Sequence, residues 1–116
     1  MTRTFIQTKQ FSRDWDELGL TDSDLRIMEL DIMQDPKKYP VIKGTGGLRK
    51  MRFPLTHKGK RSSARVCYVD FDSYGTIYLI AVYGKNVKEN ITMQERNDIK
   101  KLIENIRIAL RGDYNG

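Results

Sequence analysis

Between Pro36 and Val69 the chain carries ten lysines and arginines and not one aspartate or glutamate. They are Lys37, Lys38, Lys43, Arg49, Lys50, Arg52, Lys58, Lys60, Arg61 and Arg65. Outside this segment 11 basic residues face 15 acidic ones, so the chain's net charge of +6 comes from one stretch laid on an otherwise acidic protein. Ordinary surfaces intersperse the two signs. A surface of one sign concentrates polyanions and steers their approach. The pattern also says how the cations are displayed. Met51, Phe53 and Leu55 alternate with Lys50 and Arg52, the period of a strand with one apolar face and one cationic face. A solvated lysine face is the plainer alternative, and the complete absence of acids argues against it.

A chain of 116 residues with 39% hydrophobic residues is expected to form a single domain spanning residues 1–116, with a polar, fraying tail from about 111 to 116. No apolar run approaches the ~20 residues of a membrane span. The start, Met1-Thr2-Arg3-Thr4-Phe5, lacks the apolar core of a signal peptide. Cys67 is the only cysteine and His57 the only histidine, which excludes an internal disulfide, a cysteine cluster and a histidine-pair nuclease. The expectation is a reduced, cytoplasmic protein with no membrane contact and no metal or other cofactor.

Thr4 to Lys9 alternates weakly and suits a short strand. Ser12 is a fitting N-cap for a helical turn to Leu18, with Trp15 and Leu18 facing inward. Leu25, Met28, Ile32 and Met33 at helical spacing predict a helix from Thr21 or Asp22 to about Asp35, stopped by Pro36. Val41 to Gly47 is a glycine-bearing loop, without the lysine and hydroxyl of a nucleotide-binding loop. Strands are expected over Leu48–Leu55, Arg65–Phe71 and Thr76–Tyr83, the last two joined by a tight turn at Asp72–Gly75. Those two are apolar at nearly every position, as central strands are. Thr92 with Glu95 makes a capping box for a last helix with Ile99, Leu102, Ile103, Ile106 and Leu110 inward. The class expected is α+β: a small antiparallel sheet, helices packed mainly on one side, and Lys50 and Arg52 on the open side.

Cutting RNA without metal or paired histidines requires three groups. A base takes the 2′-OH proton, a cation meets the charge growing on the phosphate, and an acid protonates the leaving 5′-oxygen. Lysine serves as the base only when neighbouring cations lower its pKa. Lys50 beside Arg52, with Arg49 and Arg65 nearby, is such a group of cations, and arginine clamps a phosphate through two hydrogen bonds. Lys43, Arg49, Lys58, Lys60 and Arg61 suit contacts to the RNA backbone. Among the tyrosines, Tyr83 at a strand end is the candidate for contact with a base. Asp70 and Asp72 read as turn and solubility residues, and Cys67 as an inert buried thiol.

Four ordered segments together carry a family resemblance: Gly44-Thr45-Gly46-Gly47-Leu48-Arg49-Lys50-Met51-Arg52, Gly59-Lys60, Ala64-Arg65-Val66-Cys67-Tyr68, and Ile77-Tyr78-Leu79 with Tyr83-Gly84-Lys85-Asn86. The chain resembles the RelE/ParE toxin superfamily, nearest its HigB-type branch, from about Phe5 to Ile106. The resemblance implies a microbial-ribonuclease-like fold and the toxin of a type II toxin–antitoxin pair. Such a toxin is an mRNA interferase that enters the A site of the small ribosomal subunit, cleaves the mRNA there and stops translation. It implies an antitoxin partner with a helix-turn-helix DNA-binding domain. It places catalytic cations at Lys50, Arg52 and Arg65, and a further one after the last strand at Lys85. Gly59-Lys60-Arg61-Ser62-Ser63 departs from the branch, which has G-K-S-G-G there. The rival within the superfamily is a ParE-like toxin that inhibits DNA gyrase without cutting RNA.

Overall fold

The computed structural model describes residues 2–55, 62–84 and 91–115. In chain order the elements are β1 (Thr4–Gln7), α1 (Lys9–Glu17), α2 (Asp22–Gln34), β2 (Arg49–Leu55), β3 (Ser62–Phe71), β4 (Thr76–Gly84) and α3 (Met93–Asn115). The sheet order is β1-β4-β3-β2. The α+β class expected from sequence is the one adopted. The sheet is nonetheless mixed: β2, β3 and β4 run antiparallel, while β1 joins β4 in parallel. A parallel neighbour follows from the two helices inserted after β1, a crossover of the kind parallel pairing requires.

The helices do not share one side of the sheet. Phe11 and Trp15 of α1, and Met28 and Ile32 of α2, pack with Met51, Phe53, Val66, Tyr68, Ile77 and Leu79. The Phe11 and Trp15 rings stack at 5.6 Å, and Trp15 tilts against Phe53 at 5.9 Å. Across the sheet, Ile99, Ile103, Ile106 and Leu110 of α3 cover Leu48, Cys67, Val69 and Phe71. The apolar stripe of α3 shows that the helix packs, not which face it covers.

α2 starts at Asp22, within the expected bounds, and Thr21 caps it through a capping box with Asp24. α1 begins four residues earlier than its Ser12 cap predicts. Thr8 is the N-cap: its hydroxyl accepts from Phe11 N at 3.1 Å and donates to the Ile80 carbonyl at 3.1 Å, fastening the helix start to β4. Ser12 instead donates to Gln7 Oε1 at 2.7 Å. The capping box at α3 forms as expected, with Thr92 N on Glu95 Oε1 at 3.0 Å and Glu95 N on Thr92 Oγ1 at 3.1 Å. The expected tail is helical: α3 runs on to Asn115.

β4 carries one extra residue against β3. Cys67 pairs with Ala81 but Tyr68 pairs with Leu79, so Ile80 has no partner. Because side chains alternate along a strand, one inserted residue exchanges the faces of all that follow. Ile80 and Ala81 both turn toward α3, Val82 turns to the α1/α2 core, and Tyr83 arrives opposite Arg65. No helix among the described residues is long and apolar enough to cross a membrane.

Candidate active site

β2 and β3 bring three of the predicted cations, Lys50, Arg52 and Arg65, to the α3 side of the sheet. Lys50, Arg52 and Pro54 alternate with the inward residues Met51 and Phe53. Lys50 stands opposite Cys67, which stands opposite Ala81. Arg52 stands opposite Arg65, which stands opposite Tyr83. The site is therefore two neighbouring rows across β2, β3 and β4. Arg52 is exposed, and Lys50 and Arg65 are half-buried.

Two arginines directly opposite each other on neighbouring strands repel, because their Cβ atoms lie only about 4.5–5.5 Å apart. Among the described residues no carboxylate lies within ion-pair distance of Arg52, Arg65 or Lys50. Arg65 has one neutral acceptor, Ser63 Oγ, which takes a hydrogen bond from Nη1 at 2.8 Å. A phosphate bridging the two guanidiniums converts their repulsion into attraction and takes hydrogen bonds from both forks.

Below the cations lies a weakly acidic pair. Cys67 is fully buried. Burial pushes its thiol up to about 12, with the Lys50 charge opposing. Burial likewise pushes the Tyr83 hydroxyl up to about 12, with the neighbouring Cys67 adding to the shift and Arg65 opposing it. The Tyr83 hydroxyl lies beside that thiol yet makes no well-formed hydrogen bond among the described residues, and its oxygen has no exposed surface. Both groups keep their protons at neutral pH, so neither is a base. Tyr83 does not present its hydroxyl to an RNA base in this conformation. Its ring packs with the α3 core.

Arg49 is separated from the group. It faces the α1/α2 side, where Nη1 donates to the Lys37 carbonyl at 2.9 Å and to the Tyr39 carbonyl at 2.7 Å. It ties down the connection between α2 and β2. Lys43 is exposed on the loop before β2, and that loop is fastened to α3: Arg96 Nη1 donates to the Lys43 carbonyl at 3.0 Å and Arg96 Nε to the Ile91 carbonyl at 3.3 Å. The loop needs glycine at Gly46 and Gly47, whose φ angles are 80° and 133°. Lys58, Lys60, Arg61 and Lys85 lie outside the described residues.

Three contributors escape a sequence reading. Ser63 is buried two positions before Arg65 on the same strand face, a spacing that would reveal it had the strand been expected to begin at Ser62. Glu95 is legible as a capping residue, but not as a charge near Tyr83. Asp70, expected to be a solubility residue, has a side chain only 1% exposed and accepts from Arg3 Nε at 2.8 Å. Among the described residues no three His, Cys, Asp or Glu side chains gather where a metal ion would be held.

No protein-family model matches the chain. Among solved structures it is similar to a double mutant of the E. coli toxin RelE in the free state, at 14% identity and a TM-score of 0.55, over 76% of this chain and 88% of that one. It is also similar to the same RelE mutant in complex with an antitoxin RelBc peptide, at 15% identity and a TM-score of 0.51, over 79% of this chain and 100% of that one. At such identities the likeness is one of architecture, and the chain has the α+β fold of the RelE toxin.

Proposed function

We propose that this protein is the toxin of a type II toxin–antitoxin pair, and that it acts as a metal-independent endoribonuclease on mRNA in the ribosomal A site. The observation that carries this reading is the grouping of Lys50, Arg52 and Arg65 on one sheet face, with no carboxylate within ion-pair distance of them among the described residues, in a chain with the RelE fold. Arg52 and Arg65 clamp the scissile phosphate and stabilise the charge that grows on it. Lys50, two residues from Arg52 on the same face, takes the proton of the 2′-OH. The 2′-oxygen bonds to phosphorus and the bond to the 5′-oxygen breaks, which leaves a 2′,3′-cyclic phosphate. Lys85, the residue after β4, gives the leaving oxygen its proton. Electrostatic stabilisation of this kind is the largest single term in many enzymes, and losing one donor costs about 10²- to 10³-fold in rate.

Among the described residues no carboxylate pairs with Lys50 as an acid–base partner, so the ribosome supplies the orientation of the substrate. Lys43, with Lys58, Lys60 and Arg61, holds ribosomal RNA, so binding weakens steeply with salt. An antitoxin carrying a helix-turn-helix domain, as in the HigB-type branch, keeps the toxin inactive. The RelE–RelBc complex supports an antitoxin partner for this fold.

The test is primer extension on cellular mRNA after brief expression, with ribosomes kept intact. Discrete cuts inside reading frames are expected, with purified protein cutting naked RNA far more slowly than ribosome-bound RNA. Intact transcripts alongside broken or unsupercoiled DNA would replace this reading with gyrase inhibition.

A further inference from the structure

Ser63 shares the cationic face of β3 with Arg65 and Cys67, and its backbone pairs with Pro54 at the far end of β2. It is only 4% exposed. A buried hydroxyl is costly unless it is hydrogen-bonded, and this one accepts from Arg65 Nη1 at 2.8 Å. The sequence has serine here where the branch it resembles has glycine, so the hydroxyl is a feature of this chain.

We propose that Ser63 is a positioning residue that aims the Arg65 guanidinium at the scissile phosphate, a role that rests on the endoribonuclease reading above. Arg65 has a long, flexible side chain and stands directly across from a second arginine that repels it. Left alone, the two guanidiniums swing apart. One hydrogen bond to Nη1 fixes the plane of the rigid fork and leaves its other N–H groups for the ligand. The acceptor has to be neutral. A carboxylate at this position would orient Arg65 equally well but cancel the charge that the phosphate needs. A serine hydroxyl holds the cation in place without discharging it.

The test compares Ser63→Ala, Ser63→Thr and Ser63→Cys in single-turnover cleavage of mRNA on saturating ribosomes. Ser63→Cys keeps the size while giving up most of the acceptor strength, so it answers the question should the alanine variant fold poorly. Ser63→Ala and Ser63→Cys are expected to slow the step about 10- to 100-fold, as a slight misplacement of a catalytic group does, with ribosome affinity unchanged. Ser63→Thr, which retains the hydroxyl, recovers most of the rate. In an Arg65→Lys background, Ser63→Ala has no further effect. A folded Ser63→Ala or Ser63→Cys that cleaves at the wild-type rate overturns the proposal. So does an equal loss in the Arg65 and Arg65→Lys backgrounds, because the serine would then act on the fold. A second readout does not depend on activity. Nitrogen-15 NMR should show slowed rotation and separate Nη signals for Arg65 in the wild type, merging in Ser63→Ala. If wild-type protein cuts nothing on ribosomes yet shows that merging, the nuclease reading falls and the orienting role stands. If the signals are already merged in the wild type, the orienting role falls.

Discussion

The two faces of the sheet handle charge in opposite ways. On the α1/α2 side every cation described above has an answer. Arg3 pairs with Asp70 at 2.8 Å, Lys37 reaches Asp72 at 2.9 Å and Asp70 at 3.5 Å, and Arg49 donates to two loop carbonyls. On the α3 side Lys50, Arg52 and Arg65 stand together, with a serine hydroxyl as the neutral acceptor for one of them. Arg49 and Lys50 are neighbours in the same basic run, yet the first closes a loop and the second joins the cationic group on the α3 face. Density of charge marks a segment, and strand parity decides which of its cations are free to bind.

The sharpest way to break this contrast is at Asp70. Asp70→Ala strands the Arg3 guanidinium in a site where its side chain is only 7% exposed. The expected loss is about 3–5 kcal/mol of stability in urea unfolding. A loss below ~1 kcal/mol would mean that these charges are not structurally paired in solution. Next in size is Arg65→Ala, expected to raise the barrier to cleavage of ribosome-bound mRNA by about 3 kcal/mol while circular dichroism stays native. Arg65→Lys keeps the charge but loses the fork. If it cleaves at the wild-type rate, Arg65 does not clamp the phosphate. Arg49→Ala tests the same contrast from the structural side. It should cost about 1–2 kcal/mol of stability, because two carbonyls lose a charged donor, and leave single-turnover cleavage unchanged. A collapse of cleavage in a folded Arg49→Ala would place this arginine in the site after all. The smallest effect is a pH response. Lys37 holds the Asp72 carboxyl below its usual value of 3.8. A depressed carboxyl stabilises the fold above its unfolded pKa, and the contribution fades as pH falls through the folded value. Both partners are about half exposed, at 54% and 52%, so the effect is slight and screened by salt. Acid unfolding of Asp72→Asn should lack that low-pH component, and an unchanged acid limb would show that the pair contributes nothing.

Much of this was legible in the sequence because it is periodic. The alternation of Met51 and Phe53 with Lys50 and Arg52 placed the cations on one face, and Thr21 and Thr92 marked two helix starts. What was not legible depends on distant partners. Thr8 and Ser12 are equally good caps on paper, and hydrogen bonds from Thr8 to Ile80 and from its amide to Leu79 select the first. The bulge at Ile80 leaves no trace in an unbroken apolar run, yet it decides that Tyr83 rather than Val82 faces Arg65. Arg49 looked like one more cation in the cluster because its acceptors are main-chain carbonyls, which any sequence offers. Asp70 looked superficial because its partner, Arg3, lies 67 residues away.

That separation governs the order in which the molecule assembles. β2, β3 and β4 lie consecutively between Arg49 and Gly84 and zip through neighbouring pairings. β1 waits for Thr76–Leu79, and Arg3 waits for Asp70. Closing so long a loop costs entropy that is repaid only when the partner strand already exists. The expected order completes the cationic rows before the N-terminal strand docks, which makes docking a late lock on a sheet already formed. Substitutions at Arg3 or in β1 should accordingly speed unfolding and leave refolding almost untouched, while a change in the turn at Gly75 should slow refolding itself.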